Sequence, residues 1–244
     1  GKSILLVDID PQSNATSGLG IDKTSVKTSI YEALLNSQSS IKDIITATPV
    51  PKLALIPSKF DLSGAEIELV NIEKREFVLR VAIDQIRSLY DYIFIDSPPS
   101  LGLLTVNAMN TADSVIMPIQ CEYYALEGLS QLLNTINLIK ANLNPTLEIE
   151  GAVLTMADYR TNLSQQVIDE VRGFFKEKAY QTVIPRSIRL SEAPSFGKPI
   201  LLYDRNSKGA IAYQELAGEF LQRQVVKEDT VLSDKSLQSE MVSE

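Results

Sequence analysis

Tyr92-Ile93-Phe94-Ile95-Asp96-Ser97-Pro98-Pro99 is the stretch whose reading decides the fold. Four apolar residues run without alternation and stop at a carboxylate, and prolines follow. A short unbroken apolar run fits a strand covered on both faces, and proline ends such a strand because it has no N–H to give to a ladder. Leu5-Leu6-Val7-Asp8-Ile9-Asp10-Pro11-Gln12 has the same form. Working outward, similar runs occur at Leu53–Ile56, Ser114–Ile119, Ile149–Thr155 and Thr182–Ile184. Between them lie stretches with apolar residues at helical spacing. Leu126–Leu143 carries Leu129, Leu132, Leu133, Ile136 and Ile139, and Asn144-Pro145 closes it. Val167–Phe175 and Ala210–Val225 are two more amphipathic helices. Strand–helix alternation of this kind predicts an α/β fold, a doubly wound and mostly parallel sheet with helices on both faces. We expect one domain over residues 1–226. From Lys227 the chain turns Ser-rich and acidic without an apolar period, which predicts a disordered acidic tail over 227–244.

Composition removes several function classes. A single cysteine excludes a disulfide framework and suits a reducing compartment. The absence of histidine excludes a Ser-His-Asp triad and a His-ligated metal within the chain. No apolar run reaches the roughly 18 residues of a membrane span, and no secretory signal is visible, so a cytoplasmic location without a membrane partner is expected. The chain opens on Gly1 and not on Met, which points to a fragment or a processed form. Net charge is −8, but residues 158–208 hold nine Lys/Arg against six Asp/Glu. A polyanion-binding face is therefore expected in that part of the chain.

In open α/β sheets ligands bind beyond the carboxyl ends of the strands, and two strands here end in acids. Alternation along the first places Asp8 and Asp10 on one face. Asp96 ends the other, in the manner of an acid that holds Mg²⁺ through water. The pattern alone serves equally well for acids that cap a turn or a helix.

Longer segments carry a resemblance. VDIDPQSNATSGLG (7–20) resembles the switch I segment of the ParA/Soj partitioning ATPases, and YDYIFIDSPPSLGLLTVNAM (90–109) resembles their Walker B and switch II region. IQCEYYALEGLSQLL (119–133), LTMADYRTNLSQQV (154–167) and VIPRSIRLSEAPSFGKPILLYDRNSKGA (183–210) are similar in the same order. The resemblance implies a deviant Walker A P-loop NTPase using ATP and Mg²⁺. It implies that Asp10 orients the attacking water and senses the metal, that Asp96 is the Walker B acid, and that Asp8 supports the same nucleotide-binding site. It further implies that Pro185 and Ser187 contact the adenine, where asparagine is more usual at 187, and that Arg160 and Arg189 bind DNA non-specifically. A homodimer formed with ATP on the nucleoid, and a ParB/Spo0J-type partner that stimulates hydrolysis, complete the expectation.

One part of that family's pattern is not in the sequence. Its phosphate loop, KGGVGKTT, follows a first strand that precedes the VDIDPQ segment. Gly1-Lys2-Ser3 looks like the end of a GxxxxGK[ST] motif, but such a loop must open a helix, and here ILLV follows directly. The expectation is that residues 1–244 lack the first strand and the P-loop helix. Two strand edges and an apolar slot would then be left open, with poor stability and no ATPase activity in this chain alone. A MinD-like membrane-cycling ATPase would need a basic amphipathic C-terminal helix, which the acidic tail is not. An iron-protein-like electron donor would need two ligand cysteines, and only Cys121 is present. A non-catalytic interaction protein is the remaining alternative.

Overall fold

A computed structural model describes residues 1–36, 40–123 and 125–241, with side chains left aside at 125–127 and 228–241. In chain order the elements are β1 (Ile4–Asp8), α1 (Asn14–Gly18), α2 (Ile30–Leu35), α3 (Ile41–Ile44), β2 (Thr46–Ala47), β3 (Leu53–Ile56), α4 (Leu62–Leu69), α5 (Val78–Asp84), β4 (Tyr92–Asp96), α6 (Leu103–Thr111) and β5 (Ser114–Gln120). There follow α7 (Ala125–Asn142), β6 (Glu148–Ala157), α8 (Asn162–Phe175), β7 (Ala179–Pro185), α9 (Ile188–Glu192), α10 (Ile200–Tyr203) and α11 (Lys208–Met241). Each apolar run singled out in the sequence is a strand. The α/β class holds, with parallel pairing at β1–β3, β1–β4 and β6–β7 and an antiparallel pair at β2–β3.

The strands form two sheets among the described residues, in the orders β2-β3-β1-β4 and β5-β6-β7. The chain divides into two compact units. The first takes in Gly1–Ile116, Leu126–Glu150 and Ile188–Asp204, and the second Met117–Ala125, Gly151–Ser187 and Arg205–Glu244. β4 and β5 are terminal strands of their sheets. This changes what β4 looks like. Its apolar run predicts cover on both faces, but as a terminal strand it is only half-buried, and Phe94 is 37% exposed.

In the first unit β1 is the central strand. Ile4–Val7 pair with Leu53–Ile56 on one side and with Tyr92–Ile95 on the other, and Asp8 pairs with Asp96. Leu5, Val7 and Ile9 go into a core shared with Ile56, Leu62, Leu69, Leu79, Ile83 and Leu104. At roughly 1.5–3 kcal/mol for each fully buried aliphatic side chain, this core fixes β1 firmly and so fixes where its carboxyl end lies. In the second unit Val153 and Leu154 of β6, Val167, Ile168 and Val171 of α8, and Tyr180 and Ile184 of β7 are buried. The Arg223 guanidinium of α11 lies 3.9 Å from the centre of the Tyr180 ring, and Glu219 accepts bonds from the backbone N–H groups of Gln181 and Thr182.

α11 runs on past Lys227 to Met241. The sequence carries neither glycine nor proline after Gly218, so nothing in it terminates the helix. Residues 242–244 of the expected tail lie outside the described residues.

Candidate functional site

Gly1-Lys2-Ser3 is a lead-in to β1 and not a phosphate loop. Its Ser3 N–H donates to Asp91 Oδ2 at 2.6 Å, and the Lys2 ammonium faces the same carboxylate at 3.7 Å. The chain then enters the strand at Ile4.

At the other end of β1 the two acids take different places. The strand stops at Asp8, so Asp10 sits on coil beyond it and the expected shared strand face does not form. Asp8 is wholly buried. One of its carboxylate oxygens accepts the Asp10 N–H at 3.2 Å, and the other accepts the Thr16 N–H at 2.8 Å and the Thr16 hydroxyl at 2.6 Å. Burial pushes the Asp8 carboxyl above its ordinary range, against the pull of those bonds. Asp8 therefore braces the loop from beneath. Asp10 is half-buried, and its Oδ1 accepts only the Gln12 N–H at 2.9 Å, which closes an Asx turn over Pro11. Its carbonyl accepts the Ser13 N–H and the Ser58 hydroxyl.

Asp96 closes β4 as the register partner of Asp8. Its backbone is fixed by the Ile9 N–H, which donates to the Asp96 carbonyl at 2.8 Å. Its side chain is open on one side, and no donor among the described residues reaches its carboxylate. The protein packed around it, together with the negative charges of Asp8 and Asp10, pushes this carboxyl up to about 6. Among the described residues three acids converge here with no cation bonded to Asp96, an electrostatic setting that a divalent cation relieves. Among the described residues no three carboxylates come close enough to ligate a metal directly. Asp96 and Asp10 therefore fit a hydrated Mg²⁺ held partly by another molecule, and do not make an all-protein cage.

Several residues shape the surroundings without a signal in the sequence. The Lys23 ammonium clamps the acid loop by donating to the Gln12 carbonyl at 2.6 Å. Lys59 pairs with Glu32 at 3.2 Å and Asp61 at 3.4 Å. A concave pocket of about 480 Å³ opens between Pro11–Ser13, Lys23–Val26 and Lys59–Asp61. Gly20 and Gly197 both adopt left-handed backbone, and a Cβ on Gly20 would stand 2.8 Å from the Gly197 carbonyl oxygen. Only glycine permits that approach, which fastens the end of α1 to the turn after α9.

Arg189 on α9, in the first unit, pairs with Glu192 at 3.0 Å and with Asp204 at 3.5 Å. Pro185, Ser187 and Arg160 belong to the second unit. Pro185 is the last residue of β7 and the register partner of Ala157, and Ser187 follows Arg186, whose N–H donates to the Ala157 carbonyl at 3.0 Å. Arg160 is 86% exposed at its side chain and forks onto Asp158 with bonds of 2.8 and 2.6 Å. That pairing holds the Asp158 carboxyl well below the usual carboxylate range.

A family model described as an AAA domain matches residues 1–149. The chain is 59% identical over 219 residues to the sporulation initiation inhibitor protein Soj of Bacillus subtilis, covering 90% of this chain and 86% of that one. It is 55% identical over 226 residues to the chromosome partitioning protein ParA of Myxococcus xanthus, covering 93% and 80%. The chain belongs to the ParA/Soj family. Solved structures agree with this. The cobyrinic acid a,c-diamide synthase of Mycobacterium smegmatis, with a bound ATP analogue and magnesium, is 35% identical with a TM-score of 0.79, over 92% of this chain and 84% of that one. A putative plasmid partition protein of Borrelia burgdorferi bound to AMPPNP is 26% identical with a TM-score of 0.76, over 91% and 88%.

Proposed function

We propose that this protein is the ATP-driven switch of a chromosome- or plasmid-partitioning system. The observation that carries the reading is the β1–β4 pair. It delivers Asp8, Asp10 and Asp96 to one sheet end, in a chain closely similar to Soj and ParA proteins. ATP with Mg²⁺ is the proposed ligand, as the magnesium- and nucleotide-bound relatives support. A bound magnesium supplies positive charge to the phosphates; the chain's own residues do the rest. Asp96 holds the hydrated cation, Asp10 orients the attacking water and takes up its proton's hydrogen bond, and Asp8 keeps the loop in place. Pro185 and Ser187 are proposed to border the adenine.

The phosphate cradle is a separate matter. Residues 1–244 contain no GxxxxGK[ST] loop opening a helix. Loss of a single donor of the oxyanion type costs about 3–4 kcal/mol, so residues 1–244 without a cradle are proposed to hold ATP poorly and to turn it over at background rate.

The ATP-bound homodimer is proposed to bind DNA non-specifically through Arg160 and Arg189, in the cytoplasm on the nucleoid, with a ParB-type partner stimulating hydrolysis. Both arginines are exposed, and both rest on carboxylates that a phosphate can replace. In a chain that carries the phosphate loop upstream of Gly1, Arg189→Ala is expected to weaken DNA binding severalfold at low salt and to lower its salt slope by about 1, with ATP binding unchanged. DNA affinity equal to that of the unsubstituted protein contradicts the assignment.

A further inference from the structure

We infer that Thr16 and Ser58 are positioning residues that hold Asp10 in place for hydrolysis. The inference rests on the ATPase reading above and adds two residues to it. Asp10 is the acid whose placement matters most and whose side chain is least restrained, since it lies beyond the end of β1 and accepts a single bond from Gln12. What holds its backbone is a closed ring of hydrogen bonds drawn from three segments. The Thr16 hydroxyl donates to Asp8 at 2.6 Å. The Ser58 N–H donates to the Thr16 hydroxyl oxygen at 3.0 Å. The Ser58 hydroxyl donates to the Asp10 carbonyl at 2.7 Å. The Asp10 N–H returns to Asp8 at 3.2 Å.

The ring admits one assignment of its protons, with two arms that both run from Ser58 as donor to Asp8 as acceptor. An ionised carboxylate only accepts, so Asp8 must receive the single Thr16 hydroxyl proton. The Thr16 oxygen is then left to accept from the Ser58 N–H, and the Ser58 proton goes to Asp10. Asp8, Thr16 and Ser58 are all fully buried, so water cannot replace a missing member. Removing the Thr16 hydroxyl leaves the Ser58 N–H without its acceptor and Asp8 one donor short. Ser58 then has no fixed position from which to hold the Asp10 carbonyl. A displacement of about 1 Å at a reacting group lowers a rate by up to about a hundredfold, so the ring bears on turnover and much less on the affinity for nucleotide.

Thr16→Val removes the hydroxyl at nearly constant shape, Thr16→Ser keeps it, and Ser58→Ala breaks the next link. Amide hydrogen exchange of the 244-residue chain, read over residues 8–17, is expected to rise at least tenfold in Thr16→Val and Ser58→Ala and to stay within twofold in Thr16→Ser. In a chain that carries a family phosphate loop upstream of Gly1, the first two variants are expected to lower kcat at least tenfold with KM for ATP within about threefold, and Thr16→Ser to restore it. Unchanged exchange overturns the inference. So does loosened exchange with unchanged kcat, or a loss that falls on KM alone. Absence of turnover in the unsubstituted loop-bearing chain counts against the ATPase reading itself, and the exchange measurement still decides whether the ring holds Asp10.

Discussion

Asp96 shows how much a single residue's surroundings say. It ends an apolar strand, no described donor bonds its carboxylate, and two more acids stand close by, so its carboxyl is pushed up to about 6 from an ordinary 3.8. A carboxyl that holds its proton more tightly in the folded chain favours folding while protonated and opposes it once ionised. Without Mg²⁺, the contribution of Asp96 to stability is therefore present below about pH 4 and is lost as pH rises from there through about 6. Asp96→Asn removes the ionisation. We expect it to raise the melting temperature above pH 6 and to flatten the fall in melting temperature between pH 4 and 6. Thermal melts across that range without divalent cations check this; a variant with the unsubstituted slope and melting temperature contradicts it. At this scale the sequence was legible for the acids themselves, because a carboxylate after four apolar residues is conspicuous. It was not legible for Thr16, Ser58 or Lys23. A threonine in Asn14-Ala15-Thr16 and a serine after Pro57 look like any turn residues until the fold brings them to Asp8 and Asp10.

At the scale of elements, α6 carries the polar pattern that matters most. Asn107 is fully buried. Its side-chain oxygen accepts the Leu79 N–H at 3.2 Å, and its amide donates to the carbonyls of Arg75 and Leu103 at 2.9 Å each. It thereby supplies the N-terminal end of α5 with an acceptor that the helix cannot give itself. Asn107→Ala leaves buried groups unpaired, and the expected loss is about 2–3 kcal/mol, read as a lower urea midpoint at unchanged slope. A loss under about 0.5 kcal/mol contradicts this account of how α5 and α6 are joined. The long elements were readable because their periods are long enough to repeat: α7, α8 and the first half of α11 follow apolar positions in the sequence. The short helices α1–α4, the two-residue β2 and the pair α9–α10 were not. A helix of four to eight residues spans at most about two turns of its period, and α2 is set by the Ser29/Glu32 capping box, a local signal of the helix start that apolar spacing does not contain.

For the whole molecule, the α/β class and the parallel strands followed from alternation alone, but the division into two sheets did not. Pattern says which runs are strands and leaves open which neighbour each one pairs with. It took the resemblance, with its strand upstream of VDIDPQ, to expect unpaired strand edges, and among the described residues β4 and β5 are terminal strands of their sheets. The same view bears on function. The chain carries the acids, the proposed adenine border and the arginines, while the phosphate-cradling motif is not within its 244 residues. The most direct measurement is therefore ATP binding with Mg²⁺ by calorimetry, on the 244-residue chain and on the same chain extended upstream through a KGGVGKTT loop and its strand. The account predicts binding in the extended chain, its loss when Asp96 is replaced by Ala, and at least a hundredfold weaker binding by residues 1–244. Equal affinity in the two chains would contradict it, because the phosphates would then be held by residues other than the ones assigned here.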